Sequence, residues 1–255
     1  MKQVLLMYHS ISDSKTSSTY TLTKDAFKRH LDIIKRGGYS CATAEEYHDH
    51  LSAGVSMPEK SVLITFDDGH RSDYATALPL LKEYGFKATF FVTTDWIGRP
   101  EFMSPKELRA LKEAGMSVHS HARTHAFLDA MGQDAAAGEL ESSKKRLEDI
   151  LGARVPYISF PGGRYNAMVL ERARQAGYSA VFTSVPFSLK RHKDMFMIGR
   201  YAVKNTADEK DFLAVLKSNA LERNSLKGAY YCKYFLRRSF GNGFYYSLWK
   251  KLNYK

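Results

Sequence analysis

Asp67 and Asp68 stand side by side at the end of an apolar run, Ser61-Val-Leu-Ile-Thr-Phe-Asp67-Asp68-Gly69-His70. A strand that leaves a core into two carboxylates and a glycine-permitted turn delivers two oxygen ligands or bases to one point. Further along, Ser117-Val-His119-Ser-His121-Ala-Arg-Thr-His125 supplies imidazoles four positions apart. One carboxylate with two imidazoles is a ligand set for a catalytic zinc that keeps a coordination position open for water. The chemistry within reach of these residues is metal-assisted hydrolysis.

Each feature is weak alone. With nine histidines in 255 residues, about 0.3 pairs at this spacing arise by chance. An Asp-Asp-Gly run also serves as a turn device, because Asx side chains bond nearby backbone amides and Gly accepts positive φ. Their joint position after strands argues for a site, since α/β proteins gather ligand-binding groups there.

The elements that must position these groups follow from periodicity. Short apolar runs predict strands near 4–8, 62–66, 88–92, 116–120, 157–160, 178–182 and 198–203. Between them, amphipathic patterns predict helices near 24–35, 44–51, 74–84, 105–114, 135–150, 167–176 and 209–221. Ser104-Pro105-Lys-Glu107 reads as an N-cap with Pro at the first helical position, and Gly85 and Gly152 read as C-terminal stops. Alternating β and α elements of this length imply a parallel sheet.

With the elements placed, Thr65-Phe-Asp67-Asp68-Gly69, Ser120-His121-Ala-Arg-Thr-His125 and Phe160-Pro161-Gly162-Gly163-Arg164-Tyr165-Asn166 resemble, in this order, the first three motifs of the polysaccharide deacetylases, carbohydrate esterase family 4, with the NodB-type domain. The resemblance, over roughly residues 1–205, implies a distorted (β/α) barrel of about seven parallel strands; the catalytic domain is expected over residues 1–225, with a basic aromatic extension over 226–255. The resemblance also implies that Asp67 is the general base and that Asp68, His121 and His125 hold a divalent metal, expected to be Zn2+. The Pro161-Gly162-Gly163 turn permits close approach of backbone to ligand, so Gly162, Gly163 and Tyr165 are expected around the oxyanion and substrate.

Two departures from the family pattern bear on the chemistry. No late Leu-x-His motif supplies the general acid, and His192 is the only histidine in the last third. Leu6-Met-Tyr-His9-Ser resembles instead the opening strand of the circularly permuted poly-N-acetylglucosamine deacetylases, which makes His9 the candidate acid; the other reading is a strand-end histidine bonded to nearby backbone. Second, Ser159 and Phe160 stand where many members carry an arginine that orients the base. Arg164 is the candidate substitute, with an ordinary ion-pairing arginine as its alternative. His119 is not assigned to the metal.

Composition bounds the remainder. A chain of 255 residues with 44% hydrophobic content can bury a large core as one domain. Cys41 and Cys232 have no metal-ligand spacing and predict no disulfide framework. The apolar stretch near Leu5 is too short for a signal segment and no run approaches a membrane span, so a cytoplasmic location is expected. Formal net charge is +11, and residues 223–255 carry eight Lys or Arg and no Asp or Glu. Tyr230, Tyr231, Tyr234, Phe235, Phe240, Phe244, Tyr245, Tyr246, Trp249 and Tyr254 interleave with those cations. Such a segment suits an anionic membrane surface, here residues 227–255; its other reading is packing on the barrel. No nucleic-acid fold accompanies the patch, and nucleic acid is not an expected partner.

The expectation is a metal-dependent enzyme removing the N-acetyl group from an N-acetylated sugar in a cell-envelope polysaccharide or lipid-linked glycan precursor such as that of lipopolysaccharide. The alternatives are a deacetylase of a soluble amino sugar or oligosaccharide, and a non-catalytic barrel that binds glycan.

Overall fold

The computed structural model describes residues 2–14, 16–186 and 196–217, together with Ser225, Gly228, Tyr231, Cys232 and Phe235. His192 and most of the basic aromatic segment lie outside the described residues.

The strands are β1 (Lys2–Tyr8), β2 (Ile11–Ser12), β3 (Leu22–Thr23), β4 (Ser40–Ala42), β5 (Lys60–Phe66), β6 (Thr89–Val92), β7 (Ser117–Ser120), β8 (Tyr157–Ser159), β9 (Ala180–Thr183), β10 (Met197–Gly199) and β11 (Tyr201–Ala202). The helices are α1 (Lys24–Arg36), α2 (Ala44–Ala53), α3 (Leu78–Tyr84), α4 (Pro105–Glu113), α5 (Gln133–Leu151), α6 (Ala167–Gln175) and α7 (Glu209–Lys217). The main sheet is parallel and runs β10-β9-β8-β7-β6-β5-β1-β11, with β4 alongside β5. Its two ends belong to one stretch of chain. β10 pairs with β9, β11 pairs with β1, and only Arg200 separates them. Residues 197–202 therefore close the sheet into a barrel of seven staves, counting β1, β5, β6, β7, β8, β9 and this shared segment.

Alternation along each strand divides the apolar residues between two faces. Leu5, Leu63, Phe91, Tyr157, Phe182 and Ile198 form one buried cluster, which Ala44 and Tyr47 of α2 join. Residues of the opposite parity, Leu6, Ile64, Phe66, Phe90 and Val118, pack on the other face with Phe27 and Leu31 of α1, Leu81 of α3 and Leu108 of α4. The first set fills the barrel and the second seats the helices. α4 begins with the Ser104/Glu107 capping box and N-terminal Pro105 read from sequence, and α2 carries a second box, Thr43/Glu46.

Beyond shifts of a residue or two at element ends, three features differ from the sequence reading. The stretch 198–203 read as one strand breaks at Arg200, whose side chain turns into the barrel. The helix expected over 74–84 opens with a π-helical turn, Asp73–Ala77, before α3. The two-residue β2 and β3 and the three-residue β4 are too short to show a period in sequence. Cys41 and Cys232 are free, and burial pushes the Cys41 thiol up to about 12. Among the described residues no helix is long and apolar enough to cross a membrane.

Candidate active site

All the predicted ligands sit at the C-terminal ends of barrel strands. Asp67 continues β5, its N–H donating to Tyr8 O at 3.0 Å. Adjacent residues of an extended strand face opposite ways, so two neighbouring aspartates reach one site only if the strand ends between them. Asp68 does this with φ of 80°, a left-handed conformation unusual for a side chain, which costs on the order of 1–3 kcal/mol. Its carbonyl accepts from Thr93 N–H at 3.2 Å. Gly69 follows with φ of 84°, packed so closely on β6 that a Cβ would lie 2.9 Å from Val92 Cγ1.

His121 leaves β7 with its N–H bonded to Val92 O at 2.8 Å. The chain then curls back through Ala122 (φ 62°) and His125 (φ 67°). Glu139 of α5, nearly fully buried, holds this curl: its carboxylate accepts from the N–H groups of Arg123 and Thr124 at 3.0 and 2.9 Å and from Thr124 Oγ1 at 2.9 Å. The four-residue spacing therefore comes from a tethered loop. His125 stacks on Trp96, with ring centroids 4.9 Å apart.

Asp68, His121 and His125 each offer a ligand atom, all within 4.8 Å of one another. His121 Nε2 and His125 Nε2 lie 3.3 and 3.2 Å from Asp68 Oδ1, yet that oxygen is buried without a hydrogen bond. His121 Nδ1 donates to Ser159 O at 2.8 Å, the second bond that fixes a ligating imidazole with Nε2 free. Two nitrogens and one oxygen around a common point, one ring already oriented, fit a divalent metal such as zinc. Burial acts to raise the Asp68 carboxyl, but the imidazoles of His121, His125 and His70 beside it hold it well below the usual range. For His121, burial is outweighed by Asp67 and Asp68, and its pKa is raised.

Asp67 is clamped by an arginine the sequence reading did not name. Arg200 Nη1 and Nη2 meet its two oxygens at 2.6 and 2.8 Å, a bidentate fork. Nη2 also reaches Ser159 Oγ at 2.6 Å, which in turn donates to Asp67 Oδ2 at 3.0 Å. Both Arg200 and Asp67 are buried. Burial raises the Asp67 carboxyl, and the charges of Arg200 and His121 more than reverse it, so the group is held below its ordinary value. Arg200, and not Arg164, is therefore the arginine that contacts Asp67. Arg164 Nε forks onto Asp129 at 3.0 and 3.1 Å, and its guanidinium lies over the Phe127 ring.

His9 follows β1 into the same mouth. Its imidazole is lowered chiefly by burial, against the pull of Asp68 and Asp67 and with smaller contributions from His121 and Arg200. Nδ1 is buried without a hydrogen bond, so the alternative of a ring bonded to backbone through that nitrogen does not hold; the ring lies 4.8 Å from Tyr20. The Pro161-Gly162-Gly163 turn has the close packing expected of it. Both glycines have φ of 64°, and a Cβ on Gly162 would lie 2.8 Å from Phe127 Cε1. Gly163 N–H, however, is already bonded to Phe160 O at 2.7 Å, so it is not a free oxyanion donor. Tyr165 packs near Phe160. His119 lies deeper in the barrel, bonded to Glu45 at 2.9 Å and Ser117 at 3.2 Å, away from the ligands.

Asp73 is a further group that sequence reading missed. It is fully buried, neither carboxyl oxygen finds a donor, and burial, then Asp68, then Asp67 raise its pKa well above normal. A carboxyl whose folded pKa is raised keeps its proton in the fold and loses it on unfolding, so it takes stability away as pH rises above the unfolded value. In metal-free protein, Asp73→Asn is therefore expected to raise Tm more at about pH 8 than at about pH 4. Equal shifts at both values, measured by thermal melts, would refute a buried neutral acid.

A parallel barrel with a clamped carboxylate and a His-His-Asp triad at its mouth is a hydrolase architecture. The comparisons give it a family. The polysaccharide deacetylase family model matches residues 54–181. YxkH of Bacillus subtilis is 32% identical over 217 residues, covering 85% of this chain and 77% of its own length. The poly-beta-1,6-N-acetyl-D-glucosamine N-deacetylase of Staphylococcus epidermidis is 28% identical over 215 residues, covering 78% and 73%. Among solved structures, the deacetylase PplD of Streptococcus pyogenes in complex with acetate superposes with a TM-score of 0.77 at 26% identity, covering 85% of this chain and 99% of that one. IcaB from Ammonifex degensii gives 0.75 at 27% identity, covering 84% and 95%. The chain belongs to the polysaccharide deacetylase family.

Proposed function

We propose that this protein is a metal-dependent N-deacetylase that removes acetyl groups from an N-acetylated sugar of a cell-envelope polysaccharide or lipid-linked glycan precursor. The observation that carries this reading is the placement of the clamped Asp67 next to the Asp68, His121 and His125 triad, because a barrel that only binds glycan has no use for a base beside ligands. The relatives that act on poly-N-acetylglucosamine support the substrate class.

Zinc bound at the triad supplies Lewis acidity, polarising the acetyl carbonyl and making water easier to deprotonate. Asp67, kept ionised by Arg200, accepts the proton of the attacking water. The amine cannot depart as an anion, so a proton must reach its nitrogen. His9, in the same mouth as Asp67 and Asp68, is proposed to give it once their charges and the water's proton favour its protonated form. Residues 227–255 supply the cations and rings through which the enzyme is proposed to meet an anionic membrane on the cytoplasmic face.

The deciding experiment is acetate release from β-linked N-acetylglucosamine oligomers, soluble N-acetyl sugars and envelope glycolipids, with and without a chelator. Release that stops on chelation and returns with zinc is expected. No release from any substrate by protein carrying zinc would leave the binding barrel. Wild type is expected to hold about one zinc per chain, and Asp68→Ala, His121→Ala and His125→Ala are each expected to lose it. Full occupancy in all three by elemental analysis would remove them as ligands. His9→Ala is expected to slow acetamide hydrolysis far more than that of an activated aryl acetate, whose phenolate leaves without a proton. Equal slowing of both would make His9 structural.

A further inference from the structure

The two oxygens of Asp68 face different partners. Oδ1 looks toward His121 and His125, while Oδ2 lies 3.4 Å from His70 Nε2, at the outer limit of a hydrogen bond. His70 is not one of the three converging ligands, and its position is set by other elements. Its backbone bridges to Phe102, its ring stacks on the Phe102 ring at 5.0 Å and 23°, and its carbonyl accepts from Asp73 N–H. Phe102 lies 4.7 Å from Trp96, which backs His125. One pair of aromatic rings thus braces the imidazoles on both sides of Asp68.

We propose that His70 is a positioning residue for the metal site: its Nε2–H donates to Asp68 Oδ2, so that the carboxylate meets the metal through Oδ1 alone. This rests on reading Asp68, His121 and His125 as the metal ligands. A carboxylate free to swing can present both oxygens and fill the position that water must occupy; one whose second oxygen is engaged cannot. Partners of this kind are worth roughly 10- to 100-fold in metal affinity.

The test is zinc affinity, measured by competition with a chromogenic chelator on purified protein, and needs no substrate. His70→Phe keeps a flat ring against Phe102 and removes the donor; His70→Gln restores a donor without the ring. Zinc is expected to bind roughly 10- to 100-fold more weakly to His70→Phe, with most of the loss recovered in His70→Gln. Binding by His70→Phe within about threefold of wild type, less than about 1 kcal/mol, would overturn the proposal. So would a glutamine variant as weak as the phenylalanine one, which would assign the effect to ring packing. If neither variant folds, nitrogen NMR of zinc-loaded wild type decides: His70 is expected as the Nε2-protonated tautomer, and an unprotonated or metal-bonded Nε2 would overturn the proposal. Wild type that binds no zinc, or His121→Ala that binds it as tightly as wild type, would instead sink the metal site itself.

Discussion

Asp67→Asn is expected to lower turnover of an N-acetyl sugar by roughly 10²- to 10⁴-fold while zinc content stays near one per chain. The amide keeps the shape and some of the bonds to Arg200 and Ser159, but it cannot accept the proton of the attacking water. Because Asp67 faces Arg200 and Asp68 faces the imidazoles, the two neighbours separate cleanly in such an experiment. Loss of zinc in Asp67→Asn equal to that in Asp68→Ala would show the roles to be reversed. Turnover near wild type would refute the mechanism.

Arg200→Met is expected to cost about 3–5 kcal/mol of folding stability, as breaking one half of a buried pair does. The substitution leaves the Asp67 carboxylate buried with Ser159 as its remaining donor. The double variant Arg200→Met/Asp67→Asn removes both charges and is expected to recover much of that loss, so the pair should show strong coupling in urea denaturation. Additive effects would mean that the fork contributes little. Arg200→Lys should restore charge without the two parallel bonds, leaving turnover well below wild type.

The barrel was legible because most of its staves are short, largely apolar runs separated by helices with recognisable ends. β1 and β5, buried on both faces, read as nearly continuous apolar stretches, and the Ser104 box marks a helix start. The ligand residues were legible because carboxylate and imidazole have little reason to crowd strand ends otherwise. Arg200 was hidden by its setting: within Ile198-Gly-Arg200-Tyr-Ala-Val it looks like a single cation interrupting a strand. Counting by twos from buried Ile198 would have placed it on the interior face, and an interior arginine needs a carboxylate. Glu139 gave a weaker signal, an acid on the same helical stripe as Ala136, Leu140, Ser143 and Leu147. The left-handed turns at Asp68, Ala122 and His125 leave no mark in composition, since glycine, the usual sign, is absent from those positions.

The stave that closes the barrel also carries Arg200, and this sets an order in time. On the ribosome His9 emerges first, Asp67 and Asp68 next, the histidines after them, and the counter-charge of the base near the end. Domains fold largely as units during synthesis, and until residues 197–202 are available Asp67 has no guanidinium to neutralise it. An incomplete chain therefore keeps a solvated carboxylate where the finished protein has a buried one. Closing the sheet and pairing Asp67 with Arg200 are one event, so a nascent chain with its last stave still in the exit tunnel holds every proposed zinc ligand but lacks the guanidinium that clamps the proposed base.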